Sequence, residues 1–383
     1  MKIVHVITTL GVGGAEKHLL WLTQGQVAAG HGVQVVFLKG DGELAGEFRD
    51  AGVGVDHVDF DRAGLGTLRK AVAELAGVLR AEAPDIVHTH LLKADALGAL
   101  AARRAGIRAL VASKHNDERA LLSKPVGWIH GWLSRRVVAT IALSDHVARF
   151  VAEHGRVDPA RIRRIYYGVD AERLQPTRDR TRVRQELGLD EDTPVLVCVG
   201  RLAPQKDHST LLAAVARLTG DRAASEAARR TQLLVVGGDP FGDGLERVER
   251  RVRDLEVGGH VRLLGIRDDV PDLLGAADLF VLPSLWEGLG LVFLEAMAVG
   301  LPVVATRVSA VPEVVSDGET GWLVPPGDPE ALADALAAAL ADPDECRRRG
   351  AAGRRRLLEH FALPRMMAQV QAVYDEVLEE TGR

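Results

Sequence analysis

Three features of the sequence predict an α/β protein made of two Rossmann-like domains with parallel sheets. Short β-branched runs alternate with longer Ala/Leu-rich segments of helical period, which is the pattern of βαβ units. The alternation occurs twice, with a polar, highly charged stretch between the two passages. At 383 residues the chain has room for two domains of ordinary size, each with its own core.

Taken in order, the strand candidates of the first half are KIVHVITT, VQVVFL, DIVHTH and ALVASKH. Those of the second half are VLVCVG, QLLVVGG, VRLLG, LFVLPS and PVVAT. The first domain is expected over residues 1–172. The charged stretch AERLQPTRDRTRVRQELGLDEDTP follows Tyr167-Gly168-Val169-Asp170 and places a linker at 173–192. The second domain is expected over 193–363, with the segment ALADALAAAL packing on its sheet. The last segment, 364–383, carries Met367, Val370, Val373, Tyr374 and Val377 at helical spacing, and is expected to pack back on the first domain.

Composition narrows the classes of function. Hydrophobic residues make up 47% and charged residues 26%, the balance of a soluble globular chain. No apolar run approaches the roughly 20 residues that span a bilayer. The N-terminal MKIVHVITTL reads as a strand entering a Gly-rich turn, which argues against export. Cys198 and Cys346 are far apart and give neither a disulfide framework nor metal-ligand spacing. A reduced, cytoplasmic protein is the expectation. Residues 1–170 carry 22 Lys+Arg against 18 Asp+Glu, and the remainder 26 against 35, so the halves differ in sign. Neither is basic enough for nucleic acid.

The first motif is Gly11-Val12-Gly13-Gly14-Ala15-Glu16, between a strand and a helix. Glycines there let backbone N–H groups and a helix N-terminus approach an anion. A nicotinamide-dinucleotide fingerprint would need a third glycine where Glu16 stands, and an acid after the second strand, which ends in Leu38-Lys39. A tight turn without ligand is the plainer alternative. In DIVHTH, alternation points His88 and His90 to one side. His90, at the strand's C-terminal end where open α/β sheets bind ligands, is the candidate site residue, with His88 its buried partner. Two hydrogen-bonded structural histidines are the alternative. A metal reading of H-x-H lacks completing ligands.

The second half carries more chemistry. Arg201 and Lys206 stand five apart in VGRLAPQKD, a Gly/Pro-containing loop suited to clamping a diphosphate and stabilising it as it leaves. Lys206→Ala is expected to stop turnover with little loss of fold. Glu287 and Glu295 are eight apart. Gly288 and Gly290 beside the first allow free N–H groups at a helix start to face a phosphate or sugar oxygen. Glu295 lies among apolar residues in LVFLEAMAVG and needs a hydrogen-bonding partner, which the vicinal hydroxyls of a ribose would supply.

VGRLAPQKD, the paired glutamates of EGLGLVFLEAMAVGLPVVAT, and PEVVSDGETGWLVPPGDPEALA together resemble glycosyltransferase family 4. GGAE, VHTH and YYGVD fit the same family, so the resemblance spans nearly the whole chain. It implies the GT-B fold: two facing Rossmann-like domains with an interdomain cleft, the donor held mainly by the second and the acceptor by the first. By motif match Arg201 and Lys206 would bind the donor diphosphate and Glu295 the ribose. Glu287 and the backbone of Gly288, Leu289, Gly290 and Leu291 would contact sugar and phosphates. Gly13 and Gly14 would approach the donor from the first domain, His90 would sit near the sugar, and the base would lie near Ile266 and Arg267. Tyr167 departs from the family, which often has Asn there.

The resemblance implies a retaining transferase that uses a UDP- or GDP-linked sugar, takes no cofactor and needs no metal. No D-x-D arrangement makes a convincing cation site, and Asp268-Asp269 reads as an acidic pair starting a helix. The acceptor is expected to be a saccharide or a lipid-linked one. A GT-B epimerase or phosphorylase and a non-catalytic nucleotide-sugar-binding protein are the alternative classes. Trp128 and Trp132 are four apart in ALLSKPVGWIHGWLSRR, near Lys124, Arg135 and Arg136. They are either core residues or a peripheral contact with an anionic membrane.

Overall fold

The computed structural model describes residues 1–61, 64–220, 223, 225–239 and 242–382. They form two compact units: Met1–Val169 with Leu363–Arg383, and Asp170–Ala362.

The first unit holds seven parallel strands: β1 (Lys2–Thr9), β2 (Gly32–Lys39), β3 (Gly54–His57), β4 (Ile86–His90), β5 (Leu110–Lys114), β6 (Ala139–Ala142) and β7 (Ile162–Arg164). Their order is β3-β2-β1-β4-β5-β6-β7. The order reverses between β1 and β4, so the loops after these two strands flank the crevice where doubly wound sheets bind ligands. Apolar clusters cover both faces of the sheet. One is built around Ile3, Leu19, Phe48 and Val111, and the other around Val4, Leu75, Leu97 and Ala112. The near-continuous apolar runs of β1 and β2 follow from this two-sided burial.

The first of these clusters is completed from the end of the chain. Helix Leu363–Thr381 buries Met366, Val370, Val373, Tyr374 and Val377, an i, i+4, i+7, i+8, i+11 stripe. Met366 rather than Met367 enters the core. Met367 lies against Gly25, where an added Cβ would stand 2.8 Å from its sulfur and displace the end of that side chain.

The second unit holds β8 (Val195–Val199), β9 (Gln232–Val236), β10 (Val261–Gly265), β11 (Leu279–Leu282), β12 (Val303–Thr306) and β13 (Gly321–Val324). All are parallel, in the order β10-β9-β8-β11-β12-β13, with the reversal between β8 and β11.

The expected linker at 173–192 is instead folded onto the second unit. Helix Arg180–Glu186 carries Arg184, whose guanidinium is buried. It donates to the carbonyls of Ala276, Asp190, Glu191 and Thr193 and to the Asp278 carboxylate at 2.9 Å. Arg178 is bound by Asp272, Asp269 and Glu186. Arg178, Arg180 and Arg184, three of the charges that suggested a linker, are held by Asp272 and Asp278. The first unit accordingly ends at Val169, whose carbonyl accepts from Leu363 N at 2.9 Å as the chain returns.

Candidate functional site

In the second unit the loops after β8 and β11 lie side by side at the reversal point. The β8 loop is clipped to the end of β9 by Gly200 N to Val236 O and Leu202 N to Gly238 O, each 2.8 Å. This contact needs Gly237: a Cβ there would sit 2.0 Å from the Gly200 carbonyl oxygen. The two loops are stitched together by Leu285 N to Gln205 O and Gln205 Nε2 to Trp286 O, each 2.8 Å.

Arg201 and Lys206 differ in their surroundings. Arg201 is exposed, and its guanidinium has no carboxylate or hydrogen-bond partner among the described residues. Lys206 is 9% exposed and its Nζ is paired with the carboxylate of Glu287, itself 5% exposed. Ser284 Oγ donates to the same carboxylate oxygen at 2.7 Å. The two cations read together from the sequence thus differ: an ammonium this deeply buried needs a counter-charge, and Glu287 supplies it.

After Glu287 the chain passes Gly288 and buried Leu289 to Gly290, which has φ +83°. A Cβ on Gly290 would stand 2.4 Å from the Phe293 ring. Gly290 caps helix Leu291–Ala298 without a side-chain hydrogen bond. Buried Leu291 begins this helix, and buried Glu295 follows between Leu294 and Ala296. Beyond β10, Ile266 is exposed and its side chain covers Gly238. Arg267 instead forms a two-pronged 2.7 Å pair with Asp269, whose carboxyl it holds below the usual range. Sequence reasoning missed His208. It is buried beside Lys206, its Nε2 has no partner among the described residues, and burial pushes its pKa down to about 4.

In the first unit, Gly13 precedes helix Gly14–Ala28 with extended backbone and no side-chain cap. A Cβ on Gly13 would lie 2.4 Å from the Glu16 carboxylate, so that side chain would have to shift, and Glu16 also accepts from Thr9 Oγ1 at 2.6 Å. A carboxylate thus already occupies the first turn of this helix, where a third glycine would stand in a dinucleotide site.

His90 is not the free end of its strand. It is fully buried, with both ring nitrogens engaged. One consistent set of tautomers satisfies the bonds around it. Gln26 Nε2 donates to Tyr374 OH (3.2 Å), so Gln26 Oε1 accepts from His5 Nε2 (2.8 Å). His5 Nδ1 then accepts from His90 Nε2 (2.9 Å), His90 Nδ1 from His115 Nε2 (3.0 Å), and His115 Nδ1 from Tyr167 OH (3.0 Å). On a branch, Tyr374 OH donates to His88 Nδ1 and His88 Nε2 to Ser113 Oγ, each 2.7 Å. Burial pushes His5 and His115 down to about 4 and lowers His88 and His90 well below the usual value, so all four rings are neutral near pH 7. His5, His88 and His90 are close enough to share a metal ion, but each ring nitrogen already has a partner. The reading of His88 and His90 as hydrogen-bonded structural residues is the one the geometry supports.

A second buried cluster gave no sequence signal, because its members lie on β4, β5, the loop after β5 and two helices. Lys114 is paired with Asp95 and lies 2.7 Å from His130 Nε2, and Thr89 Oγ1 donates to Asp95. The Glu118 carboxyl accepts from Leu92 N at 2.6 Å, and burial pushes its pKa up to about 7. Trp128 and Trp132 are exposed, which removes the core reading of that pair.

Two doubly wound parallel sheets, the second with an arginine side chain unpaired among the described residues and a glycine-capped helix at its reversal point, are matched among solved structures by glycosyltransferases of the GT-B fold. Among solved structures, the Anabaena protein HepE in complex with UDP-glucose matches with a TM-score of 0.87 at 25% identity, over 98% of this chain and 100% of that one. Residues 12–173 match Glycosyltransferase Family 4, and residues 179–356 match Glycosyl transferases group 1. The chain belongs to this family. It is 37% identical over 285 residues to the GDP-mannose-dependent alpha-(1-6)-phosphatidylinositol monomannoside mannosyltransferase of Mycolicibacterium smegmatis, covering 69% of each chain. It is 36% identical over 354 residues to the D-inositol 3-phosphate glycosyltransferase of Geodermatophilus obscurus, covering 86% of this chain and 77% of that one. Among the described residues no helix is long and apolar enough to cross a membrane.

Proposed function

We propose that this glycosyltransferase moves a hexose from a UDP- or GDP-linked sugar to a lipid-linked or saccharide acceptor, with retention of configuration and without a metal ion. The observation that carries the reading is unpaired Arg201 beside the Lys206–Glu287 pair at the reversal point of the second sheet. Arg201 takes the donor diphosphate with its guanidinium fork, and the open N-terminus of helix Leu291–Ala298 adds backbone donors. Glu295 receives the ribose hydroxyls, and the exposed Ile266 gives the base an apolar support. Glu287, paired with Lys206, accepts from hydroxyls of the transferred sugar.

The acceptor hydroxyl attacks the anomeric carbon on the face from which the diphosphate departs, and the diphosphate takes the hydroxyl proton. Arg201 and the helix amides hold the charge that grows on the leaving group, the role a divalent cation plays elsewhere. Glu287 is bound by Lys206 and Ser284, which suits a positioning carboxylate better than a nucleophile. His90, held between His5 and His115, contributes by fixing the end of β4 in place. The GDP-mannose dependence of the Mycolicibacterium relative and the UDP-glucose bound by the Anabaena neighbour support the two donor bases proposed.

Calorimetric titration with UDP, GDP and their sugars, in chelator, tests the donor. One base family is expected to bind. Transfer to a soluble acceptor analogue, with the product's anomeric configuration read by NMR, tests the stereochemistry. No binding by any nucleotide overturns the donor site, and an inverted product overturns retention.

A further inference from the structure

In the first unit, helix Lys124–Ser134 has two unlike faces. Its inner face, Gly127, His130, Gly131 and Leu133, lies flush on the fold. A Cβ at Gly127 would meet the His154 carbonyl oxygen at 2.5 Å, and one at Gly131 the Arg156 side chain at 2.7 Å. The outer face presents Trp128, Ile129 and Trp132, which are 62%, 60% and 48% exposed. Two of the chain's five tryptophans are therefore placed in water on one helical turn. An apolar cluster of this kind marks a contact surface.

The charge around it is positive. Arg156 stacks over the Trp128 ring with its guanidinium 3.9 Å from the centroid, and Arg136 over Trp132 at 4.4 Å. Lys124 starts the helix, which contains no acidic residue. Beside it lies an open groove of about 810 Å³ whose lining includes Trp128, Trp132, Arg135, Arg156 and Arg161. Arg161 keeps its position by donating to the carbonyls of Arg135 and Val137, so it carries no carboxylate partner there. Of the two acids on the groove, Asp158 caps the turn Pro159–Arg161 and Glu153 is exposed, against the three arginines Arg135, Arg156 and Arg161.

We propose that this face docks on an anionic lipid bilayer, with Trp128, Ile129 and Trp132 entering the headgroup–acyl boundary and the arginines meeting lipid phosphates. Indole rings carrying stacked guanidinium groups combine an apolar body with a cationic rim, the composition suited to that boundary. The proposal stands on the surface alone. It adds to the glycosyl transfer reading that lipid-linked acceptors are met at the membrane.

The test is co-sedimentation of the full chain with vesicles of phosphatidylcholine alone and with phosphatidylglycerol added, at low and high salt. Binding to the anionic vesicles only, weakened by salt, is expected. Tryptophan emission should shift to the blue on binding. Trp128→Ser with Trp132→Ser, and separately Lys124→Glu with Arg136→Glu, should each weaken binding on the order of tenfold or more. Nucleotide binding and transfer to a soluble acceptor should be unchanged, which separates this proposal from the donor site. Trp128→Phe with Trp132→Phe should keep binding and lose the emission shift, so a folding defect is distinguished from loss of the contact. No binding to anionic vesicles, or binding that survives both double substitutions, overturns the proposal. So does concentration-dependent self-association abolished by the serine substitutions, which would assign the face to a second copy of the chain.

Discussion

Lys206 and Glu287, 81 positions apart in the chain, meet in a buried ion pair where the loops after β8 and β11 lie together. Removing either partner strands the other charge away from water. Lys206→Ala and Glu287→Ala should each destabilise the second unit by about 3 kcal/mol, since broken buried pairs cost about 3–5 kcal/mol. Urea denaturation followed by far-UV circular dichroism measures it. Two variants as stable as the parent would mean that water reaches the pair. Sequence reasoning expected Lys206→Ala to leave the fold intact, and the pair is the reason for the revised expectation.

Arg201 is the contrasting case. With no partner to strand, Arg201→Ala should leave stability within about 0.5 kcal/mol. Its loss should weaken nucleoside diphosphate binding on the order of 10- to 100-fold, the worth of a charge-assisted contact. Calorimetric titration reads the change, and unchanged affinity would remove Arg201 from the donor site.

The buried histidines make the protein acid-labile. His5, His115, His130 and His208 have folded pKa values pushed down to about 4 by burial, against an ordinary 6.5. A depressed histidine gives stability that is complete above the unfolded pKa and is lost as pH falls through the window from 6.5 to about 4. Glu118, raised to about 7, has the opposite sign: between about 4.5 and 7 its folded state holds the extra proton and favours the acid side. One carboxyl does not offset the histidines, so stability should fall by at least about 3 kcal/mol between pH 7 and pH 5. Urea titrations at both values decide it, and a flat profile would show the rings to be hydrated.

Tyr374→Phe removes one hydroxyl from the helix that closes the first unit. His88 Nδ1 loses its donor and Gln26 Nε2 its acceptor, both buried. The cost should be about 1–3 kcal/mol, visible as a lower thermal midpoint. No shift would mean that water replaces the hydroxyl.

Most of the fold was legible because parallel strands buried on two faces must be apolar along their length. β1, β4, β8 and β11 announced themselves this way, and the family motifs fell on the loops after them. What stayed hidden were partnerships. The charged run from Arg178 to Asp192 reads as solvated when its partners, Asp272 and Asp278, lie almost a hundred residues later. Lys206 and Arg201 look equivalent until Glu287 is brought to one of them. His90 looks like a free strand end until His5 and His115 close around it. The Trp128–Trp132 pair could face either way, because helical spacing sets which residues share a face but not which face is covered.

Helix Leu363–Thr381 also sets an order of assembly. During synthesis the second unit, residues 170–362, is complete before this helix leaves the ribosome. The first unit, begun earlier, must wait with Ile3, Leu19 and Leu22 uncovered and with Gln26 and His88 lacking Tyr374. The half of the molecule that starts first therefore finishes last. Until it does, an open apolar face travels with the nascent chain.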